Sequence, residues 1–146
     1  MLIQKINDQR NFEHDIVYFK RIVDEAVPAR DFLRACPISV RAKFSAILIA
    51  VASAPPNKFS GGGYWEAMHG EMAGWYELRV SGASRRQFRL FCMLDYGALG
   101  EPNPLLSVIT GMEKAFRTVF KGSEYQKVFL LGVEYLSVNP RSLVRD

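Results

Sequence analysis

Three cations are spaced so that neighbouring strands could gather them around one anion. In WYELRV (75–80) the alternation of an extended chain puts Trp75, Glu77 and Arg79 on one side, and Tyr76, Leu78 and Val80 on the other. In QFRLFCML (87–94) the apolar side holds Phe88, Leu90, Cys92 and Leu94, which leaves Arg89, Phe91 and Met93 opposite. A third run begins at LLSVIT, extends to about Phe116 and carries Lys114. Side by side, the three segments converge on Arg79, Arg89 and Lys114, with the register left open by the sequence. A guanidinium presents a rigid fork of donors and stays charged, which suits paired hydrogen bonds to a phosphate, while an ammonium adds a compact charge. His69 and Glu71 fall on the loop before this hairpin, where an imidazole exchanges a proton near neutral pH and a carboxylate serves as its partner or as a base.

The charge distribution agrees with a localised anion site. The 146 residues hold 19 Lys+Arg and 15 Asp+Glu. Residues 1–78 carry nine of each sign, whereas residues 79–146 carry ten basic and six acidic, so the whole excess of +4 lies in the second part. With 49% hydrophobic and 23% charged residues the chain can build an ordinary core, which excludes collagen-like and disordered classes. Two cysteines, Cys36 and Cys92, are too few for a disulfide framework and lack the paired spacing of a metal knuckle. No acidic or histidine spacing defines a metal site, so no metal and no cofactor is expected. GGG at 61–63 lacks the lysine and the strand-to-helix setting of a phosphate loop, which removes ATPase and dehydrogenase readings.

The N-terminal MLIQKINDQRNFEHD has charges where a signal peptide needs an apolar core, and no stretch approaches the roughly 20 apolar residues of a membrane helix. The expectation is a soluble, cytoplasmic chain in a reducing compartment, with no membrane partner.

The elements that must hold these cations read as one domain over 1–146. IVYF (16–19) forms a first strand after a polar leader containing His14. Pro28 opens a short helix that ends before Pro37. Pro37 opens a longer one to Ala52, with Val40, Phe44, Ile47, Leu48 and Val51 on one face and Arg41 and Lys43 toward solvent. Residues 53–63 are a loop, and the glycines of YWEAMHGEMAG interrupt any helix there. Strands 75–80 and 87–94 make an antiparallel hairpin across Gly82, Ala83 and Ser84. A last helix begins near Ser123, with Ser123 and Gln126 at capping-box spacing and a stripe of Tyr125, Val128, Phe129, Val133 and Leu136, and Asn139-Pro140 closes it. The order β-α-α-β-β-β-α calls for an α+β fold, a small, mainly antiparallel sheet with helices packed against it.

The blocks HGEMAGWYELRV (69–80), QFRLFCML (87–94) and LLSVITGMEKAF (105–116) resemble the RelE/ParE toxin superfamily, and within it the HigB-like and phage Gp49-like branch. The resemblance spans about residues 16–138 and implies a compact toxin of a type II toxin–antitoxin pair, with a twisted antiparallel sheet and helices against one side. Many relatives are ribosome-dependent mRNA endonucleases that use no metal. The resemblance implies mRNA, the ribosome and a cognate antitoxin protein as partners.

On that reading Arg79 and Arg89 clamp the scissile phosphate, Lys114 stabilises its charge, and His69 or Glu71 assists proton transfer. Trp75 shares a strand side with Arg79 and is a stacking candidate. Tyr125 could bond phosphate or stack on a base, although its helical phase also fits core packing. Arg117 and Lys121 are further RNA contacts. Where relatives commonly carry adjacent lysines, MEKAF has Lys114 beside Ala115. That departure leaves open a toxin that binds protein without cleaving RNA, such as a gyrase inhibitor, and a regulatory binding protein of a phage module.

Overall fold

The computed structural model describes residues 13–54, 64–115 and 121–145. In chain order the elements are β1 (Asp15–Phe19), α1 (Pro28–Ala35), α2 (Ile38–Ala52), β2 (Trp65–Ala67), β3 (Trp75–Ser81), β4 (Gln87–Asp95), β5 (Leu105–Lys114), α3 (Gly122–Leu136) and β6 (Leu143–Val144). One six-stranded sheet runs in the order β2-β3-β4-β5-β1-β6. Strand β1 is parallel to β5, and every other neighbouring pair is antiparallel. The result is a small α+β domain with a mixed, mostly antiparallel sheet and three packed helices.

Helices α1 and α2 cover one face. Val40, Phe44, Leu48 and Val51 of α2 recur on a single stripe and pack with Leu33 of α1 onto Leu78, Val80, Phe88, Leu90, Cys92, Leu106 and Val108 of the sheet. Arg41 is exposed as expected, and its guanidinium donates from Nε to the Leu33 carbonyl at 3.1 Å, which also accepts the Cys36 N–H, and from Nη2 to that of Arg34 at 3.2 Å, so it covers the C-terminal end of α1.

Helix α3 lies on the opposite face, over Phe19, Trp75, Phe91 and Ile109. The sheet is therefore covered from both sides, not from one as the resemblance implies. The alternation of Trp75, Phe91 and Ile109 against residues of the other core supplies this second apolar surface, and a helix stripe needs such a surface to be stable.

The stripe of α3 also differs from expectation. Its buried positions are Val128, Gly132 and Tyr135, whereas Val133 and Leu136 are about half exposed. Gly132 decides the helix rotation, because a Cβ there would overlap the Trp75 ring and its absence lets helix and strand touch. The start is set by Lys121 and Glu124 instead of Ser123 and Gln126: Lys121 N–H donates to Glu124 Oε1 at 2.7 Å.

Two short strands escaped the sequence reading. Trp65–Ala67 pairs with β3, and Gly70 and Gly74, both with positive φ, turn the chain between them, so the glycines make a hairpin connection. Leu143–Val144 pairs with β1 at the other edge. His14, assigned to a polar leader, is buried, its Nε2 3.2 Å from the Tyr96 hydroxyl. Strand β5 ends at Lys114, short of the expected continuation: Ala115 is already outside the strand, and Phe116 falls outside the described residues. Among the described residues no helix is long and apolar enough to cross a membrane.

Candidate anion-binding face

The β3–β4 ladder pairs Arg79 directly with Arg89, and Arg89 pairs in turn with Met112 of β5. Cross-strand partners share a face, so both arginines emerge on the α3 side of the sheet. One step further out, Ser81, Gln87 and Lys114 stand in line across the same three strands. Lys114 is a diagonal neighbour of Arg89, roughly 7–8 Å away across the ladder. One step inward lie Glu66, Glu77 and Phe91, and beyond them Trp75 and Met93 beneath α3. The face thus grades from an apolar floor under the helix to an open cationic end.

Two like charges directly opposite each other are unfavourable, and a buried carboxylate between them offsets the repulsion. Glu77 Oε1 accepts from Arg79 Nε at 2.8 Å, and its Oε2 lies 3.7 Å from Arg89 Nε. The Glu77 side chain is 5% exposed, that of Arg89 14% and that of Arg79 46%, so the three form a buried-to-open series. Burial lowers the Arg89 pKa, the Glu77 carboxylate opposes that effect, and the Arg79 charge adds to it. Arg89 remains a cation at any ordinary pH because arginine starts so high. Its Nη1 donates to Gln87 Oε1 and to the Phe88 carbonyl, both at 3.3 Å. The Nη atoms of Arg79 make no hydrogen bond among the described residues.

Tyr125, in the first turns of α3, packs edge-on against Phe91 with ring centres 6.1 Å apart. Burial raises its phenol pKa and Glu77 raises it further, against opposing effects of Arg89 and Arg79. The phenol is therefore neutral at physiological pH, able to donate or accept beside the arginines. Its packing and its place at the cationic face coexist, since the ring meets Phe91 in a T-shaped pair while the side chain is only partly buried.

On the β3 side an open groove of about 670 Å³ adjoins the arginines, lined by Lys43 and Ile47 of α2 together with Tyr64, Arg79, Gln87 and Arg89. Around the arginine pair itself, Glu66 and Glu77 stand against Arg79, Arg89 and Lys114, so positive charge prevails.

Several expected site residues are elsewhere. His69 and Glu71 are exposed at the turn before β3, on the far side of Trp75, and Trp75 itself is four residues or about 13 Å along the strand from Arg79. The turn ties Met72 N–H to the His69 carbonyl at 3.2 Å, which keeps both side chains at that end of the hairpin. Trp75 is 3% exposed and pressed against Gly132, so it is a floor of the core and offers no stacking surface. Glu113 points to the other face and pairs with Arg86 at 2.6 Å, leaving Lys114 on the arginine side. Lys121 is exposed at the start of α3, and Arg117 lies outside the described residues.

Sequence reasoning missed Glu77 as a site residue. The signal was present in the spacing Glu-Leu-Arg, which puts carboxylate and guanidinium on one side of a strand two residues apart. Among the described residues no group of His, Cys, Asp and Glu could hold a metal ion. Burial pushes the Cys36 thiol up to about 11 and the Cys92 thiol higher still, which makes both poor nucleophiles. Protein-family models, curated proteins and solved structures offer no match to this chain.

Proposed function

We propose that the arginine face binds the phosphate backbone of RNA, and that the chain is the toxin of a type II toxin–antitoxin pair, a HigB-like, metal-independent endonuclease of ribosome-bound mRNA in the cytoplasm. The observation that carries the phosphate part is the direct pairing of Arg79 with Arg89 on an open sheet face beside Lys114 and Tyr125. Two guanidiniums at one level of a ladder can hold the non-bridging oxygens of one phosphate, and a neutral phenol nearby can donate to it. The toxin, ribosome and antitoxin parts rest on the resemblance of the three C-terminal blocks to the RelE/ParE superfamily.

Cleavage also needs a group that takes a proton from the attacking 2′-hydroxyl and one that returns a proton to the leaving oxygen. His69 and Glu71, proposed for these steps, are separated from the arginines by the length of β3 between them. That separation favours a second reading in which the same domain poisons its target by binding, as a gyrase inhibitor would.

Translation-dependent RNA end mapping with the purified chain separates the two. Endonuclease action predicts new 5′ ends within translated mRNA that disappear with Arg79→Ala and Arg89→Ala while circular dichroism stays unchanged. Intact RNA combined with inhibited DNA supercoiling by gyrase would replace it with the second reading. Co-expression with the neighbouring gene product should relieve growth arrest and yield a co-purifying complex. Absence of both effects would remove the toxin assignment.

A further inference from the structure

We propose that Glu77 is a positioning residue of the arginine face, hydrogen-bonded to the Nε edge of Arg79 and ion-paired with Arg89, so that the Nη edge of Arg79 is aimed at an incoming phosphate. The inference rests on reading the arginine face as a phosphate site, and its test separates the two.

The argument begins with what a guanidinium can offer. Its donors lie in one plane on a rigid fork, and a carboxylate that occupies the Nε edge fixes that plane without using the two-nitrogen end. Glu77 does this to Arg79 at 2.8 Å and lies 3.7 Å from the same atom of Arg89, from one buried side chain. Gln87 and the Phe88 carbonyl hold Arg89 at Nη1. The Nη end of Arg79 makes no hydrogen bond among the described residues, and its side chain is 46% exposed. An unrestrained arginine on a sheet surface samples many rotamers and loses that freedom on binding, a cost that a restrained one has already met on folding.

A carboxylate in a cationic site has two opposite effects on anion binding. Its charge repels the ligand, so removing it should tighten binding if Coulomb attraction alone acts. Its hydrogen bond orients the Arg79 fork, so removing it should weaken binding if positioning dominates. Glu77 is 5% exposed and spans two guanidiniums, which makes the second effect the larger. The sign of the change is therefore diagnostic.

The probe is a short, fluorescently labelled single-stranded RNA, with affinity read by anisotropy across a salt series. Glu77→Gln keeps the shape but removes the charge and exchanges one of the two acceptor oxygens for a donor amide, so the bond to Arg79 Nε loses its ionic strength and the side chain no longer accepts on both sides. It is expected to weaken binding about ten-fold, with the slope of log K against log salt unchanged, because the number of phosphate-contacting cations is the same. Arg79→Lys keeps the charge but cannot bridge Glu77 and a phosphate from opposite edges. It should weaken binding nearly as much as Arg79→Ala, and being half exposed it tests the idea even if Glu77→Gln fails to fold.

Equal or tighter binding by Glu77→Gln, or full rescue by Arg79→Lys, would reduce Glu77 to a counter-charge and overturn the positioning role while leaving the phosphate site standing. Wild-type affinity in both Arg79→Ala and Arg89→Ala would remove the phosphate site, and the positioning role with it.

Discussion

Arg79 and Arg89 occupy one level of the same ladder yet differ in exposure, 46% against 14%, and their loss should read out differently. Arg89 is packed under the surface with Gln87 and Phe91 around it, and its removal leaves buried Glu77 with one cation fewer. Arg89→Ala should cost about 1–3 kcal/mol of folding stability. Arg79 donates the shorter bond, but from a half-exposed side chain where water screens the charge and can replace the donor. Arg79→Ala should cost under about 1 kcal/mol. Urea unfolding of both variants checks the order, and a larger loss for Arg79 would show that the 2.8 Å bond outweighs burial. Both positions were legible in the sequence because strand alternation is local. The partner between them was not, because a carboxylate two residues from an arginine is common on strands that bury nothing.

At the level of elements, α3 and β3 meet where Gly132 admits the Trp75 ring. Alanine improves helix propensity over glycine by about 1 kcal/mol in a helix interior. A methyl group at this position overlaps the indole, and forcing it in costs about 1–3 kcal/mol in displaced side chains and backbone. The overlap falls on the body of a rigid ring that is 3% exposed, so it cannot be relieved by swinging a flexible tip away. Gly132→Ala should therefore lower the thermal midpoint, and a rise would show that the helix can shift along the sheet. The periodicity of α3 identified a helix but chose the wrong face beyond Phe129. A glycine contributes no hydrophobicity to a stripe, and only the ring waiting opposite makes it a contact residue.

Across the whole molecule, one buried network joins the end of β4, the first residues of β5, α3 and the segment after it. Tyr135 donates its hydroxyl proton to Asp95 Oδ2 at 2.6 Å and lies 2.7 Å from Ser107 Oγ, while Arg141 Nε donates to the same carboxylate oxygen at 2.8 Å. Burial pulls the Asp95 pKa upward, but the bonds from Arg141, Tyr135 and the Gly97 N–H outweigh it and hold the carboxyl below its ordinary value. A carboxylate depressed in the folded state contributes stability that is fully present above its unfolded value, about 3.9. That contribution is lost as pH falls through the folded value. The urea midpoint should begin to drop as pH falls below about 4 and continue to fall through the folded value. In Tyr135→Phe, which removes one of the depressing bonds, the protein should be less stable at neutral pH and the acid-side drop shallower. An unchanged pH profile would mean that Arg141 alone sets the Asp95 ionisation.

The sequence by itself determined the positions of β1, α1, α2 and the long strands β3 to β5, because helix and strand periods are written in neighbouring residues and proline marks the boundaries. It also put Arg79 and Arg89 on the side of their strands away from Leu78 and Leu90, since alternation needs no partner to be read. Only the tertiary structure decided that these two stand directly opposite each other, that Glu77 lies between them, and that α3 covers the same face with Gly132 against Trp75. Register, sheet order and the choice of face are set by which surfaces exclude water together. Those surfaces come from segments tens of residues apart, and no local spacing records their meeting.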